Sequence, residues 1–304
     1  TNLTGFRMMG AQTGTNLMAL VAFPIIFWVG GEDESMGFVV LALIAGLSAM
    51  LIHSITFLTV KEPSNDHGIE RVGGSLKEAA RAIGKNMPFW LVFSATLIVG
   101  ITTIFFGNNL IYFTKYALNL HEHQSTILFT SGIVAFLSIP FWWFISNKIG
   151  KKFTWLLSST LTLLAFIIFY FYQINSLNEL LFLVAFIGFG SGAGGILFWS
   201  MLPDTIEYGE VLTGVRSESS LYGFMTFAQK GSIAFAIIIL GIVLDIIGFQ
   251  ANEVQAENTL TNMKLIMTLI PSLGIASSLV IIYFYPIDAT MHKNLLKKLQ
   301  EATE

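Results

Sequence analysis

The sequence predicts an all-α membrane protein with about eight transmembrane helices. Only 12% of its 304 residues are charged and 54% are hydrophobic, whereas a soluble domain has about 25% charged residues. A helix that crosses the hydrocarbon core of a bilayer needs about 20 consecutive apolar residues. Runs of about that length occur at 5–29, 37–60, 89–114, 125–146, 153–173, 180–203, 219–248 and 262–285.

The composition also excludes several classes of protein. The formal net charge is −3, whereas nucleic-acid binders concentrate basic residues on one face. There is no cysteine, which excludes disulfides, thiolate metal sites and thiol redox motifs. Membrane β-barrels alternate apolar and polar residues in segments of about ten, but the runs here are continuously apolar. We therefore expect no nucleic-acid partner, no metal and no cofactor.

The distribution of Lys and Arg predicts the orientation in the membrane, because short cytoplasmic loops carry an excess of these residues. One side of the predicted helices has only Lys115 and Lys264, both at helix ends. The other side is therefore predicted to be cytoplasmic, which places both chain ends inside the cell and the protein in the cell (inner) membrane. That side collects Lys61, Arg71, Lys77, Arg81, Lys85, Lys148, Lys151, Lys152, Arg216, Lys293, Lys297 and Lys298.

A long polar segment divides the predicted helices into two groups. Residues 61–86 contain Pro63, a Gly pair and the helix-favouring stretch SLKEAARAIG, which is typical of a loop with a short surface helix. Six spans follow the segment, and a six-helix bundle is half of a twelve-helix transporter. The predicted organisation is the last two helices of an N-terminal bundle at 1–60, a central cytoplasmic loop at 61–88, a C-terminal six-helix bundle at 89–287 and a cytoplasmic tail at 288–304.

Lys230 is the most informative residue of the predicted helices. It lies about eleven positions into the span at 219–248, or about 17 Å at 1.5 Å per residue, which is close to the membrane centre. A lysine at that depth costs several kcal/mol unless it is paired or faces water. Ser219, Tyr222, Thr226 and Lys230 recur at steps of three and four and form one polar stripe. We expect the stripe to line a water-filled cavity; a structural ion pair between helices is the alternative.

The segment MLPDTIEYGEVLTGVRSES, residues 201–219, is predicted to be a short cytoplasmic loop. Its acids, Asp204, Glu207 and Glu210, could suggest the carboxylate pair of glycoside cleavage, but that chemistry needs a dry, shaped cleft. Arg216 and Glu218 add opposite charges to the segment. We expect an ion-pair latch that breaks when two helical bundles rock; simple solvation of the acids is the alternative.

Arg7 lies near the start of the first predicted span and has two interpretations. It could snorkel to the cytoplasmic interface. Its planar guanidinium group could instead donate two hydrogen bonds to sugar hydroxyls. The sequence by itself does not separate the two.

The run GFGSGAGG contains a formal GxGxxG pattern at Gly190, Gly192 and Gly195. It follows no strand and lies inside an apolar span, so nucleotide binding fails its structural test. Small residues at steps of three and four let helices approach closely. We therefore predict helix packing at this run.

Several stretches resemble the glycoside-pentoside-hexuronide:cation symporter family of the major facilitator superfamily. The pattern D-x-x-[DE]-Y-G-E-x-x-x-x-V-R-x-E is specific, and Lys230 follows it at the family's spacing. The resemblance covers essentially the whole chain and implies a partial major facilitator fold that corresponds to helices five to twelve. The matching stretches are PDTIEYGEVLTGVRSES, FAQKGSIAFAIIILGIVLDIIGF, FPIIFWVGG, NLIYFTKYALN and TGFRMMGAQTG.

This resemblance implies roles for individual residues. Lys230 matches a lysine near the cation and sugar sites and is assigned to coupling between them. Arg7 and Thr226 match sugar-contacting residues, and Tyr222, on the same stripe as Thr226 and Lys230, is assigned to the same substrate site. The implied cytoplasmic gate comprises Asp204, Glu207, Tyr208, Arg216 and Glu218.

Two positions depart from the best-known member of that family. Met225 stands where that member has a glutamine. A glycine near position 195 replaces a tryptophan that packs on galactosides, and Trp199 lies one turn away. These departures speak against melibiose itself as the substrate. The family's cation-binding aspartates lie on helices two and four, outside the part that this chain matches.

The combined prediction is a secondary transporter that moves a sugar or glycoside together with Na⁺, Li⁺ or H⁺ by alternating access. Its expected partners are that substrate, the monovalent cation and the lipid bilayer, and the protein is expected to be a monomer. Two other functions remain open, a lysolipid or other amphiphile carrier on the same scaffold and a membrane sensor that does not transport. An enzyme is not expected, because Lys230 alone does not supply the acid, base or metal cluster that catalysis needs.

Overall fold

The computed structural model describes residues 2–30, 34–60 and 76–301. Every regular element in those ranges is a helix, and eight of these helices are long and apolar enough to cross a membrane. The predicted all-α class and number of spans are confirmed. The elements are α1 (Asn2–Gly30), α2 (Glu34–Thr59), α3 (Leu76–Lys85), α4 (Met87–Tyr116), a 3₁₀ turn (His121–His123), α5 (Gln124–Ile149), α6 (Lys151–Phe171), α7 (Leu177–Thr213), α8 (Glu218–Ile246), α9 (Glu257–Tyr283) and α10 (Ala289–Glu301).

The chain divides into two compact units. The smaller comprises Thr13–Gly73, and the larger combines Thr1–Gln12 with Gly74–Glu304. Within the smaller unit, α1 and α2 approach closely at Gly37, where an added Cβ atom would overlap the carbonyl oxygen of Ile26. Glycine is therefore needed at this helix crossing.

The short helix α3 occupies the end of the predicted central loop, as the SLKEAARAIG stretch indicated. Its residue Ile83 is buried. Asn86, between α3 and α4, accepts a hydrogen bond from the amide of Phe89 at 3.2 Å and donates one to the carbonyl oxygen of Thr205 at 2.7 Å. This connection therefore ties the start of α4 to α7. The rest of the predicted loop, residues 61–75, lies outside the described residues.

Helices α4 to α9 form a six-helix bundle. In it, α4 packs against α8 and α9, α6 packs against α7 and α9, and α5 packs mainly against α7. The buried side chains form two hydrophobic clusters, one towards the end of the bundle that carries α3 and α10 and the other towards the opposite end. Representative residues are Phe89, Trp142 and Met201 in the first cluster and Phe105, Phe169 and Met263 in the second.

The glycine-rich run of α7 lets α5 and α6 approach closely. A Cβ atom added at Gly188 would lie 2.5 Å from the carbonyl oxygen of Ser131 on α5. One added at Gly190 would overlap the side chain of Thr162 on α6. The prediction of helix packing at this run is confirmed.

α7 is longer than predicted, which corrects the interpretation of residues 201–219 as a loop. It spans Leu177–Thr213, about 56 Å at 1.5 Å per residue, and ends at Gly214, whose φ of +69° favours glycine. The acids assigned to the loop therefore lie on its last turns. The loop prediction is wrong because Thr205 and Ile206 are buried against neighbouring elements, and tertiary packing of this kind overrides a local breaker such as Pro203.

The predicted tail contains the amphipathic helix α10, which packs against α7. Its Leu295 is buried in the hydrophobic cluster of the bundle. On the exposed side, Lys297 Nζ lies 3.6 Å from Glu301 Oε1, and a surface pair of this kind contributes only about 0–1 kcal/mol. The contacts with α7 therefore hold α10 in place.

Candidate functional site

The polar stripe on α8 lies on the exposed face of that helix. Leu221, Met225, Ala228 and Ser232 are buried, on a helix that packs mainly against α4. Thr226 and Lys230 are exposed and Tyr222 is half-buried. The three stripe residues of the predicted substrate site therefore share one side of the helix, and their role in substrate binding stays a prediction.

Lys230 is near the middle of α8, about 18 Å from Glu218 at 1.5 Å per residue. Among the residues that the structure describes, no carboxylate lies within ion-pair distance of its ammonium group. Because an unpaired charge at this depth is expensive in lipid, the exposed face of α8 suits contact with water or with a polar ligand. Lys230 therefore makes no ion pair with another helix in the described part of the chain, which speaks against the alternative of a structural ion pair.

Tyr222 connects the stripe to α7. Its ring stacks on the buried ring of Trp199, with the ring centroids 6.2 Å apart and the planes at 21°. The hydroxyl of Thr226 donates to the Tyr222 carbonyl oxygen at 2.9 Å, which leaves its lone pairs available to a ligand. Trp199 thus lies against Tyr222, one of the predicted substrate residues. The sequence showed only that Trp199 is one turn away from the glycine near position 195.

Arg7, the remaining residue of the predicted substrate site, is part of α1. Its side chain lies outside what the structure describes. Its assignment to sugar binding stays a prediction.

Two of the predicted gate residues, Asp204 and Glu207, join a cluster of charges at the end of α7. Lys151 Nζ, at the start of α6, donates to both carboxylate oxygens of Asp204 at 2.7 Å and to the carbonyl oxygen of Ser200 at 2.7 Å. His292 Nε2, on α10, lies 2.8 Å from Glu207 Oε2 and 3.4 Å from Asp204 Oδ1. Asp204 is buried, so the alternative of simple solvation does not hold for this residue.

Three side chains of this cluster, Asp204, Glu207 and His292, have the chemistry to hold a metal ion. One donor atom each from Asp204, Glu207 and His292 lie within 4.8 Å of one another, and mixed carboxylate and imidazole ligands suit Zn²⁺. The ammonium of Lys151, however, already bonds both oxygens of Asp204. An ion-pair network that joins α6, α7 and α10 therefore accounts for the cluster better than a metal site.

The sequence reasoning missed two partners of this network, Lys151 and His292. From the sequence, Lys151 is only one of the basic residues of the predicted cytoplasmic side, and His292 is only part of the predicted tail at 288–304. The basic run at 148–152 could have suggested an acid partner, but the partner lies 53 residues away in sequence and no local pattern identifies it. The neighbouring Lys152 likewise donates to the carbonyl oxygen of Tyr285 at 2.8 Å, across 133 residues.

The other gate residues lie apart from this network. Arg216 bonds Glu210 Oε2 at 2.8 Å and Glu218 Oε2 at 3.0 Å, across the junction of α7 and α8. Partial burial acts to lower the pKa of Arg216, but the hydrogen bonds and charges of Glu218 and Glu210 outweigh it and raise the pKa. Tyr208 is half-buried against the hydrophobic cluster. The predicted gate is therefore divided into two ion-pair groups and one packed tyrosine.

A family model described as MFS/sugar transport protein matches residues 1–289. The chain is also similar to several curated proteins. It is 25% identical over 260 residues to the glucuronide carrier protein homolog of Escherichia coli (strain K12), with 84% of this chain and 56% of that protein covered. It is 28% identical over 309 residues to the putative sulfoquinovose importer of the same organism, with 98% and 64% covered.

A third relative is the isoprimeverose transporter of Lactiplantibacillus pentosus. The identity is 25% over 300 residues, with 96% of this chain and 61% of that protein covered. The chain thus spans between 56% and 64% of the length of these three relatives.

Proposed function

The chain belongs to the MFS/sugar transport protein family, and we propose that it moves a sugar or glycoside together with a monovalent cation, Na⁺, Li⁺ or H⁺, by alternating access. The family and its named relatives are transporters and not enzymes. None of the three relatives described above is named as an amphiphile carrier or as a sensor. The sugar symporter is therefore the function that we develop.

Lys230 is the observation that carries this proposal. It is an exposed ammonium group halfway along an apolar helix, on the same face as Thr226 and beside Tyr222. Lys230 and Tyr222 offer hydrogen-bond donors to sugar hydroxyls, and the Thr226 hydroxyl offers acceptor lone pairs. Charged residues inside membrane helices mark substrate or ion pathways, and transporters of this type bind their substrates near the middle of the bilayer.

Coupling follows from the charge of Lys230. An ammonium group and a bound cation at neighbouring positions repel each other, so the occupancy of the cation site changes the position or pairing of Lys230. A sugar held by the same ammonium group then senses the cation. In this proposal the lysine links the two sites, and the direction of net transport follows the imposed gradients.

The ion pairs at the end of α7 form the cytoplasmic gate in this proposal. The proposed orientation places both chain ends in the cytoplasm and the protein in the inner membrane. Asp204, Glu207 and Arg216 all lie at that end of the helices. The pairs of Arg216 are exposed to water and can break and re-form, whereas Asp204 is buried. Alternating access would break some of these pairs in one state and keep them in the other.

Replacement of Lys230 tests the proposal. Uptake of radiolabelled glycosides is measured in membrane vesicles that contain the protein, with an imposed Na⁺ or pH gradient. Lys230→Ala should abolish accumulation of the glycoside against its own concentration gradient. Lys230→Arg should also do so, because a planar guanidinium group does not replace a compact ammonium group.

Lys148→Ala is the matched control, because Lys148 is an exposed lysine at the end of α5. Its uptake should equal that of the unaltered protein. Accumulation that survives in both Lys230 variants would overturn the coupling role of this residue.

A further inference from the structure

Asn86, between α3 and α4, is a buried polar residue whose amide group has two different partners. Only 1% of its surface is exposed, so both ends of the amide need a hydrogen bond inside the protein. The oxygen accepts from the amide of Phe89 and caps the first turn of α4. The nitrogen Nδ2 donates at 2.7 Å to the carbonyl oxygen of Thr205, 119 residues away on α7. Helix capping accounts for the first bond and leaves the second without a role.

α7 has a glycine at the point where Asn86 approaches it. A Cβ atom added at Gly209 would lie 2.7 Å from Asn86 Nδ2, which is closer than van der Waals contact allows. In an α-helix, the carbonyl group of one residue lies beside the residue four positions later. The missing side chain at Gly209 therefore leaves the Thr205 carbonyl oxygen accessible, and the asparagine and the glycine fit each other.

Asn86 and the ion-pair network hold different sides of α7. Thr205 and Gly209 are four residues apart and lie on one side of the helix. Asp204 and Glu207 are three residues apart and lie on another side, which meets α6 and α10 through the ion pairs described above. At 3.6 residues per turn, the centres of the two sides are about 150° apart. The end of α7 is thus held by polar contacts from nearly opposite directions.

The last turns of α7 depend on such contacts for their position. The helix continues through Pro203, but a proline removes one hydrogen bond from the helix backbone. Ile83 of α3 and Ile206 of α7 belong to the same buried apolar cluster, and apolar contacts have no preferred direction. Asn86 adds a directional bond to this apolar interface.

We propose that Asn86 is a positioning residue for the ion-pair network at the end of α7. Its bond to Thr205 holds the last turns of the helix where Lys151 and His292 can both reach the acids. A hydrogen bond fixes this position more tightly than apolar packing does, because it weakens steeply when its angle or length changes. The role of the network as a gate rests on the proposed function, whereas the positioning of α7 does not.

Two variants remove the bond from its two sides. Asn86→Ser keeps an N-cap acceptor for α4, but its side chain is too short to reach Thr205. Gly209→Ala displaces the Asn86 amide group, because the added methyl group would occupy its place.

Hydrogen exchange of the purified protein measures the effect on α10, which is bound to the far side of α7. The backbone amides of α10 should exchange about fivefold faster in both variants, the change that corresponds to one net hydrogen bond. The first turn of α4 should exchange at an unchanged rate in Asn86→Ser, because the cap remains. Unchanged exchange of α10 in either variant, or faster exchange confined to the start of α4, would overturn the proposal.

A matched control and a double variant separate this role from a general loss of stability. Gly84→Ala on α3 adds a methyl group that meets nothing within 4 Å, and it should leave the exchange of α10 unchanged. Asn86→Ser combined with Gly209→Ala should exchange no faster than either single variant, because both changes remove the same bond. A further increase in the double variant would show two independent defects and would contradict the shared contact.

Uptake in membrane vesicles distinguishes this inference from the proposed function. Asn86→Ser and Gly209→Ala should both lower gradient-driven uptake of glycoside by a similar factor, and Gly84→Ala should not. Faster exchange of α10 with normal uptake would support the positioning of α7 and contradict the gate. Slower uptake with unchanged exchange of α10 would contradict the positioning instead.

Discussion

Tyr285, just beyond the end of α9, illustrates how a side chain can be held by packing without a polar partner for its hydroxyl group. Its side chain is buried, and its hydroxyl has no hydrogen-bond partner among the described residues. Burial raises the pKa of Tyr285 well above its usual value, and the nearby charges of Asp204 and Glu207 raise it further. A buried polar group left unsatisfied costs about 1–3 kcal/mol. The residue therefore contributes through the packing of its ring.

Tyr285→Phe should consequently stabilise the protein. The free energy of unfolding should rise by about 1 kcal/mol, because the variant removes an unsatisfied hydroxyl and keeps the ring. In the unaltered protein, stability should fall as the pH rises above about 10, because the unfolded tyrosine ionises there while the folded one stays neutral. Tyr285→Phe should lose that part of the pH dependence.

Thermal unfolding in detergent at pH values of about 8 and about 10.5 measures both effects. Tyr170→Phe on the surface of α6 is the control, and it should change neither the midpoint nor its pH dependence. A lower midpoint for Tyr285→Phe would show that its hydroxyl group is bonded and would contradict this account.

At the scale of elements, α10 depends on a small number of contacts with the rest of the larger unit. Leu295 supplies apolar contact, and His292 supplies the polar contact with Glu207 and Asp204. His292 is the only charged or titratable residue of α10 for which the described residues include an ion-pair partner on another element. It therefore fixes the position of α10 along α7.

His292→Ala should loosen α10. We expect faster hydrogen exchange of its backbone amides and a loss of about 1 kcal/mol of stability, because hydrogen bonds to charged groups are worth more than surface pairs. Lys297→Ala removes an exposed ion pair on the same helix and should change neither quantity. Exchange rates for His292→Ala that match those of Lys297→Ala would show that the apolar contacts of Leu295 and Met291 hold the helix.

The sequence predicted the membrane helices better than their cytoplasmic ends. The predicted span at 125–146 corresponds to Gln124–Ile149 and that at 219–248 to Glu218–Ile246. These predictions succeed because each membrane span needs its own run of about 20 apolar residues. The last turns of α7 and the helix α10 were missed, because they depend on packing between distant segments. The pairing of Lys151 with Asp204 has the same origin and spans 53 residues.

At the scale of the whole molecule, the basic residues concentrate at one end of the six-helix bundle. Lys148, Lys151, Lys152 and Arg216 lie at the ends of α5, α6 and α7 that face α10. The opposite end of the bundle carries few positive charges, among them Lys115, which bonds Asn252 at 3.3 Å. This asymmetry supports the proposed orientation, with α10 in the cytoplasm.

Cysteine labelling on intact cells measures that orientation. Glu253→Cys, in the connection between α8 and α9, should react with a membrane-impermeant maleimide. It is preferred to a cysteine at Asn252, whose φ of +62° favours asparagine. Lys297→Cys on α10 should react only after the cells are permeabilised. The reverse pattern would invert the proposed topology.

The continuity of α7 makes it a lever. The helix runs from Gly194, in its glycine-rich run, past Pro203 to Glu207, about 20 Å away at 1.5 Å per residue. A tilt of about 10° with Gly194 as the pivot would carry the far end sideways by about 3 Å, given the same rise per residue. The bond between Lys151 and Asp204 is 2.7 Å long and does not survive beyond about 3.2 Å. A tilt of this size would therefore break this ion pair at the end of α7.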